Sequence, residues 1–287
     1  MIMPDVRKCI AIAIAALCLG TVVRASESCC GVSDGVSVLS NETLSIQFVC
    51  DHSEVVTGQS MRVGFRVRHR EGFHTYWKQP GIVGYPMQFS ILQPELEEAP
   101  EVDWDFPERV SMNGHPAHGF KRDVVHSFEL HVPENFKSDV FSVEVDVAWM
   151  ACSKNCFPQR HKFRLELPVG AKGVKSEWFE QLQTREVAEL VAWEVSAMRK
   201  GDWYEVLLKP QGEKKELGGV YLYSEDGQLT SSFVQQVQQL ENGSVRIRAE
   251  ASEHVELAAS LPCLLYAERG LGGEQYVRIN PSLEVKE

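Results

Sequence analysis

The sequence lacks several features that would point to other classes of protein. Basic residues are scarce, with 29 Lys and Arg against 40 Asp and Glu and a formal net charge of −11. Nucleic acid and anionic membrane surfaces repel such an acidic chain, so these partners are excluded. Beyond its N-terminal segment the sequence has no apolar run of the roughly 20 residues that a membrane span requires. It also has no clear internal repeat and no low-complexity segment.

The one apolar run lies close to the N-terminus and predicts a secretory signal. Arg7 and Lys8 precede the apolar residues 9–19, and Val23-Arg24-Ala25 offers small side chains where a signal peptidase inspects the chain. We therefore predict a signal peptide over residues 1–25 and an exported chain. The alternative is a membrane anchor, but the apolar run is too short for one.

Cysteine is present in an amount that suits an exported protein. Two of the eight cysteines, Cys9 and Cys18, lie in the predicted signal. In an oxidising compartment disulfides are the default for the rest. Spacing alone does not choose among the possible pairings. Cys50 and Cys263 lie in strand-like contexts and are expected to be buried thiols, whereas Cys29-Cys30 lie in residues 26–36, a segment that we predict to be mobile.

Period-two alternation of apolar and polar residues dominates the rest of the sequence and predicts short β-strands. The fold class is mainly β: an immunoglobulin-like β-sandwich over residues 37–170, then a smaller β-rich domain over residues 175–287, with a short helix near the junction. The helix is predicted within Trp178–Trp193, and Gln93–Gly119 is predicted to be loop. The predicted strands are Leu44–Cys50, Met61–His69, Met87–Leu92, Asp123–Val132, Phe141–Met150, Trp203–Leu208, Gly219–Tyr223, Ser244–Ala249, Val255–Ser260 and a last one near Gln275–Ile279.

The segment from Cys152 to Pro158 is the strongest functional signal. It lies between two alternating stretches, so its cysteines are predicted to flank a β-hairpin turn near solvent. A disulfide there closes a very small loop and restrains the unfolded chain little, which suits a redox switch. Lys154, Arg160 and His161 are basic neighbours that favour a thiolate. The alternative is a structural hairpin disulfide without exchange.

Metal binding is a further alternative for the same cysteines. Cys152, Cys156 and His161 could supply three ligands of the types that zinc prefers. No second pair of closely spaced cysteines completes such a site. We therefore predict neither a metal nor a cofactor. Additional nitrogen donors for this alternative would come from His115 and His118, or from His69 and His74.

Three blocks of residues resemble a known family. They are Gly72–Gly81 (GFHTYWKQPG), Trp104–Pro107 with the later Gly119-Phe120, and Ala148–Pro158 (AWMACSKNCFP). From about residue 45 to 170 the chain resembles the N-terminal periplasmic domain of DsbD-like thiol:disulfide interchange proteins. It is most similar to the ScsB branch, which is linked with suppression of copper sensitivity. The segment from about Trp178 to Pro281 looks like the second β-domain of ScsB-type proteins.

The resemblance implies a periplasmic immunoglobulin-like domain whose Cys152/Cys156 pair carries electrons. It implies two kinds of partner, a separate membrane-embedded thiol reductase and periplasmic thioredoxin-fold proteins. It also implies a function in cytochrome c biogenesis or copper tolerance. His74, Tyr76, Phe157 and Pro158 are expected to shield the pair or to contact a partner, with packing as the alternative. Two other functions stay open: a non-catalytic interaction module with a structural disulfide, and a copper-binding protein.

Overall fold

A computed structural model describes residues 31–33, 36–183, 187–212, 216–253, 255 and 258–285. Its regular structure is almost entirely β, which confirms the predicted fold class. The predicted signal peptide, Cys29 and Cys30 lie outside the described residues. We call strands β1–β13 the N-terminal unit and strands β14–β21 the C-terminal unit; the domain limits at residues 37–170 and 175–287 stay a prediction.

The strands of the N-terminal unit are β1 (Gly31–Ser33), β2 (Val36–Ser40), β3 (Leu44–Cys50), β4 (His52–Glu54), β5 (Ser60–His69), β6 (Thr75–Tyr76), β7 (Gln88–Gln93), β8 (Glu108–Met112), β9 (His115–Phe120), β10 (Val124–His131), β11 (Val140–Cys152), β12 (Cys156–Pro168) and β13 (Val174–Lys175). Those of the C-terminal unit are β14 (Trp193–Lys200), β15 (Trp203–Pro210), β16 (Val220–Ser224), β17 (Gln236–Gln239), β18 (Val245–Glu250), β19 (Cys263–Leu271), β20 (Glu274–Ile279) and β21 (Leu283–Val285). Among the described residues, a single 3₁₀ turn, Glu180–Leu182, lies between the units.

Two sheets of the N-terminal unit enclose an aromatic core. The first has the strand order β1-β2-β3-β5-β10 and the second the order β12-β11-β7. Alternation in β5 turns Val63 and Phe65 inward, where both are fully buried. Phe65 stacks on Phe48 at a ring separation of 4.4 Å and meets Phe163 of the opposite sheet edge-on at 5.4 Å. These contacts hold the two sheets face to face, as in a β-sandwich.

The C-terminal unit repeats this arrangement with aliphatic residues. A five-stranded sheet of order β17-β18-β15-β14-β21 lies against a three-stranded sheet of order β16-β19-β20. Val206 and Ile247 of the first sheet and Leu222, Leu265 and Val277 of the second are all fully buried. Removing these side chains from water is the main stabilising contribution to this unit.

The prediction of a helix within the 16 residues Trp178–Trp193 was wrong in its extent. In the described part of this segment, helical structure is limited to the 3₁₀ turn Glu180–Leu182. Residues 187–192 are not helical, and Trp193 begins β14. The apolar residues of this segment serve two cores instead of one helical face. Leu182 packs beside Gly64 of β5, while Trp193 is buried in the C-terminal unit.

Two other sequence predictions were also wrong. Within the predicted loop Gln93–Gly119, β8 and β9 pair with each other, and β9 pairs with β6 to form a small three-stranded sheet. The sequence did not predict β9 as a strand because it contains Pro116 and Gly119. In the predicted strand Val255–Ser260, residues 258 and 259 are irregular and Ser260 makes only an isolated bridge with Ser282.

Aromatic rings and one ionic cluster join the two units. Phe106 stacks on Tyr276 at 4.6 Å, and Trp77 meets Tyr223 edge-on at 6.1 Å. Glu225 binds Lys78 Nζ at 2.9 Å and also accepts a hydrogen bond from Nε of Arg278 in its own unit, likewise at 2.9 Å. Burial alone would raise the pKa of Glu225, but these two cations together lower it. The carboxylate therefore stays ionised at the junction.

Candidate functional site

The long hairpin of β11 and β12 carries the cysteine pair at its end. The register runs without interruption from Val140 opposite Pro168 to Cys152 opposite Cys156. The two cysteines are bonded, with their Cα atoms 4.3 Å apart. The connecting turn is closed by a 3.0 Å hydrogen bond from the amide of Ser153 to the carbonyl of Asn155. The predicted hairpin is thus confirmed.

The two cysteines differ sharply in their exposure. The prediction that both lie near solvent was wrong for Cys152, which is 0 % exposed, whereas Cys156 is exposed. Cys152 packs in a small apolar cluster with Tyr76, Val110 and Ala117. The pair therefore presents one sulfur-bearing residue to solvent and keeps the other within the protein.

A covering segment before β6 accounts for the burial of Cys152. His74 and Cys152 donate their amide protons to each other's carbonyl oxygens, both at 2.9 Å. His74 Nε2 lies 3.3 Å from the hydroxyl of Tyr76, a ring that is itself fully buried. Burial lowers the pKa of His74 to about 4. The imidazole is therefore neutral at neutral pH and brings no positive charge to the cysteines.

Phe157 and Pro158 lie at the outer side of the hairpin end. Phe157 is partly buried and its ring meets that of Phe73 at 5.9 Å, while Pro158 is exposed opposite Met150. Phe73 is a site residue that the sequence reasoning missed, although it lies in the same aromatic block as His74 and Tyr76. The available signal was its position, because Phe73 is an aromatic residue that directly precedes His74 in this block.

The basic neighbours named from the sequence do not surround the cysteines. Arg160 lies further down β12 and forms an ion pair with Asp146 at 2.7 Å. The hydrogen bond from Arg160 lowers the pKa of Asp146. His161 packs its ring 4.8 Å from Phe163, and burial lowers its pKa. Of the three, only Lys154 lies in the turn itself, where it is exposed.

The other two cysteines that the structure describes are free and buried, as expected. Cys50 is 5 % exposed and Cys263 is 0 % exposed. Burial raises the pKa of Cys50 to about 12 and that of Cys263 well above its ordinary value. Because the thiolate is the reactive form, both thiols are inert at neutral pH. Among the described cysteines, Cys152 and Cys156 are the two that form a disulfide.

The histidines proposed as metal ligands have other surroundings. His118 is buried, with Nε2 2.9 Å from the Tyr221 hydroxyl and Nδ1 3.2 Å from the Gln79 carbonyl oxygen. His69 lies 2.9 Å from Thr75 Oγ1, and His115 is exposed. In the described part of the chain, no three His, Cys, Asp or Glu side chains are grouped as metal ligands.

Two comparisons with known proteins find matches to this chain, one to a family model and one to a solved structure. Residues 47–168 match the family model described as the N-terminal part of thiol:disulfide interchange protein DsbD, which confirms the resemblance drawn from the sequence blocks. The crystal structure of the N-terminal periplasmic domain of ScsB from Proteus mirabilis has a TM-score of 0.66, with 13 % identity over 86 % of this chain and 96 % of that one. At that identity the second likeness is one of fold alone.

Other comparisons are weaker. The tandem Ig repeats of Dlar overlap 86 % of this chain and 100 % of their own, with 9 % identity and a TM-score of 0.22. The search of curated proteins finds no match. Over the described residues, no helix has the length and apolar composition needed to cross a bilayer.

Proposed function

We propose that this chain, whose residues 47–168 form a domain of the DsbD N-terminal family, is a periplasmic thiol–disulfide exchange module. The reaction passes electrons through Cys152 and Cys156. The observation that carries the proposal is the bonded pair at the end of the β11–β12 hairpin, with one cysteine exposed and the other covered. The partners are thioredoxin-fold proteins and a membrane-embedded thiol reductase of the DsbD or ScsB type.

Exposure assigns different roles to the two cysteines. When the pair is reduced, the Cys156 thiolate attacks a sulfur of the partner's disulfide, and the partner's other sulfur leaves as a thiolate. The Cys152 thiol then loses its proton and attacks Cys156 Sγ. This step forms the Cys152–Cys156 bond and releases the second partner thiolate. The partner gains two electrons and the module loses two.

The reverse reaction loads the module with electrons by the same route. A thiolate of the electron donor attacks Cys156 Sγ, and Cys152 leaves as the thiolate and takes up a proton. The donor's second thiolate then attacks its own sulfur in the mixed disulfide and releases Cys156. Cys152 is buried among apolar side chains, which disfavours a charged sulfur, so Cys156 is the one that meets partners.

The cover over Cys152 gives the reaction its selectivity. His74 and Tyr76 close the inner side of the pair, and Phe73 lies against Phe157 at the outer side. A small oxidant or reductant must pass this frame of side chains to reach Cys152, whereas Cys156 is exposed. We infer that His74, Tyr76, Phe157 and Pro158 act as shield and contact residues, which leaves exchange to proteins that fit the hairpin end.

The test is a redox-buffer titration in glutathione, with the state of the pair determined by peptide mass mapping. We expect reversible opening at a potential well above about −300 mV, the range of labile disulfides. The Cys152→Ala and Cys156→Ala variants should each lose turnover with thioredoxin while keeping their circular dichroism spectrum. A bond that resists reduction until the protein unfolds would instead mark a structural disulfide and an interaction module.

A further inference from the structure

Exposed apolar side chains lie where the two units meet, and two of them, Ile82 and Phe233, line one surface pocket together with Ser231. Ile82 and Tyr85 of the N-terminal unit are 53 % and 44 % exposed, and Phe233 and Val234 of the C-terminal unit are 48 % and 78 % exposed. We call these four residues the junction patch. Large aliphatic and aromatic side chains gathered at a surface are typical of a site that another protein covers.

Hydrogen bonds between the units hold the two halves of the junction patch together. Ser231 Oγ donates to the carbonyl oxygen of Pro116 at 2.7 Å and accepts from the amide of Ile82 at 3.0 Å. Arg109 Nη1 donates to the carbonyl oxygen of Phe233 at 2.9 Å. The patch is therefore formed before any partner arrives, which lowers the entropy cost of binding to it.

The junction patch continues into the cover of the cysteine pair. Gly84 lies in the patch loop with φ +107°, against the ring of Tyr76, where a Cβ atom would collide. Tyr76 in turn packs with Cys152. Val83 and Met112 are partly buried against the same cluster, so apolar surface runs from the patch to the cysteines.

The distance between the two sites is short on the scale of a protein interface. At one end of β9, Phe120 pairs with Thr75, next to the residue that bridges Cys152. Pro116, whose carbonyl oxygen accepts the hydrogen bond from Ser231, lies four residues from Phe120 along β9. At ~3.4 Å per residue this is a distance of about 14 Å. An ordinary interface of about 800 Å² per partner is roughly 30 Å across. A protein docked on Cys156 therefore reaches the patch.

We propose that the junction patch is the second half of the docking surface for the thioredoxin-fold partner. Exchange takes place at Cys156, and the patch supplies apolar binding energy, to which Phe233 and Val234 of the C-terminal unit contribute. This inference rests on the proposed function. It gives the C-terminal unit a direct part in partner recognition, because that unit contributes no cysteine to the exchange.

The test compares patch variants with controls of similar exposure, using thioredoxin as the probe. Val234→Asp and Ile82→Asp place a carboxylate that must lose its water in an apolar interface. Val191→Asp and Val174→Asp are the controls, since these valines are 78 % and 48 % exposed at other places. The readout is the second-order rate constant with thioredoxin divided by that with dithiothreitol, which is too small to touch the patch.

We expect this ratio to fall about tenfold for the two patch variants and to keep its wild-type value for the two controls. The inference is overturned if the patch variants behave like the controls, and in that case exchange through the pair still stands. Failure of the proposed function looks different, because then the wild-type protein itself does not exchange with thioredoxin, and the patch inference falls with it. Circular dichroism spectra confirm that each variant is folded.

Discussion

At the scale of single residues, the unequal exposure of the two cysteines predicts unequal trapping of a partner. Cys152→Ala leaves the exposed Cys156 able to form a mixed disulfide with thioredoxin that no second thiol of the module resolves. Cys156→Ala leaves only Cys152, which is 0 % exposed. We expect the first variant to accumulate the mixed disulfide at least tenfold more than the second on non-reducing gels. Equal yields would contradict the assignment of Cys156 as the contacting cysteine.

A second residue-scale prediction concerns the hydroxyl of Tyr221 at the junction. It lies 2.9 Å from His118 Nε2 and 2.9 Å from the carbonyl oxygen of Ser232. Tyr221→Phe leaves buried polar groups without this partner, and we expect a loss of about 1–3 kcal/mol in the free energy of unfolding, measured in urea. The control is Tyr85→Phe, because that ring is 44 % exposed and its substitution should change stability by less than about 0.5 kcal/mol.

At the scale of secondary-structure elements, the small sheet of β6, β9 and β8 controls access to Cys152. A Cβ atom at position 119 would collide with the carbonyl oxygen of Thr75, so Gly119→Ala pushes β6 away from β9. We expect a loss of about 1–3 kcal/mol in stability, as for other overpacking substitutions. We also expect a several-fold faster reduction of the pair by dithiothreitol.

Gly212→Ala is the control, since nothing lies within 4 Å of its Cβ. A reduction rate for Gly119→Ala equal to that of Gly212→Ala would contradict the role of the cover.

The same elements show how far the sequence alone leads. Strands such as β5 and the β11–β12 hairpin were predictable because one face of each is buried. Apolar and polar residues therefore alternate along these parts of the sequence. The small sheet was not, because β9 contains Pro116 and Gly119, and Gly119 is needed for the close approach of Thr75. The helix failed for a related reason. Leu182 and Trp193 are apolar because they pack in different units, which the local spacing of residues does not reveal.

For the candidate site, the sequence identified the cysteines and the aromatic block but not their arrangement. Which cysteine is exposed depends on the bridge between His74 and Cys152, a contact between residues far apart in the chain. The same holds for Arg160, whose charge is bound by Asp146 across the hairpin rather than directed at the pair. The junction patch could not be predicted from the sequence either, since it combines residues from the two units.

At the scale of the whole molecule, two buried histidines predict a pH-dependent stability. Burial lowers the pKa of both His74 and His118 to about 4, against an ordinary value of 6.5. Between these values the unfolded chain binds protons that the folded protein does not. Their contribution is therefore present in full above pH ~6.5 and is lost as the pH falls towards 4, with a slope of up to about 1.4 kcal/mol per pH unit for each histidine.

The matched experiment separates this contribution from general acid denaturation. Urea unfolding at several pH values between 7 and 4 should show a clearly smaller slope for His118→Gln than for the wild type, because the titration of His118 no longer contributes to it. His115→Gln replaces an exposed histidine and should keep the wild-type slope. Since His118 lies between the units and His74 over the cysteines, acid weakens the junction and the cover together. If His118→Gln keeps the full slope, His118 titrates normally in the folded protein, and other groups must be responsible for the acid sensitivity.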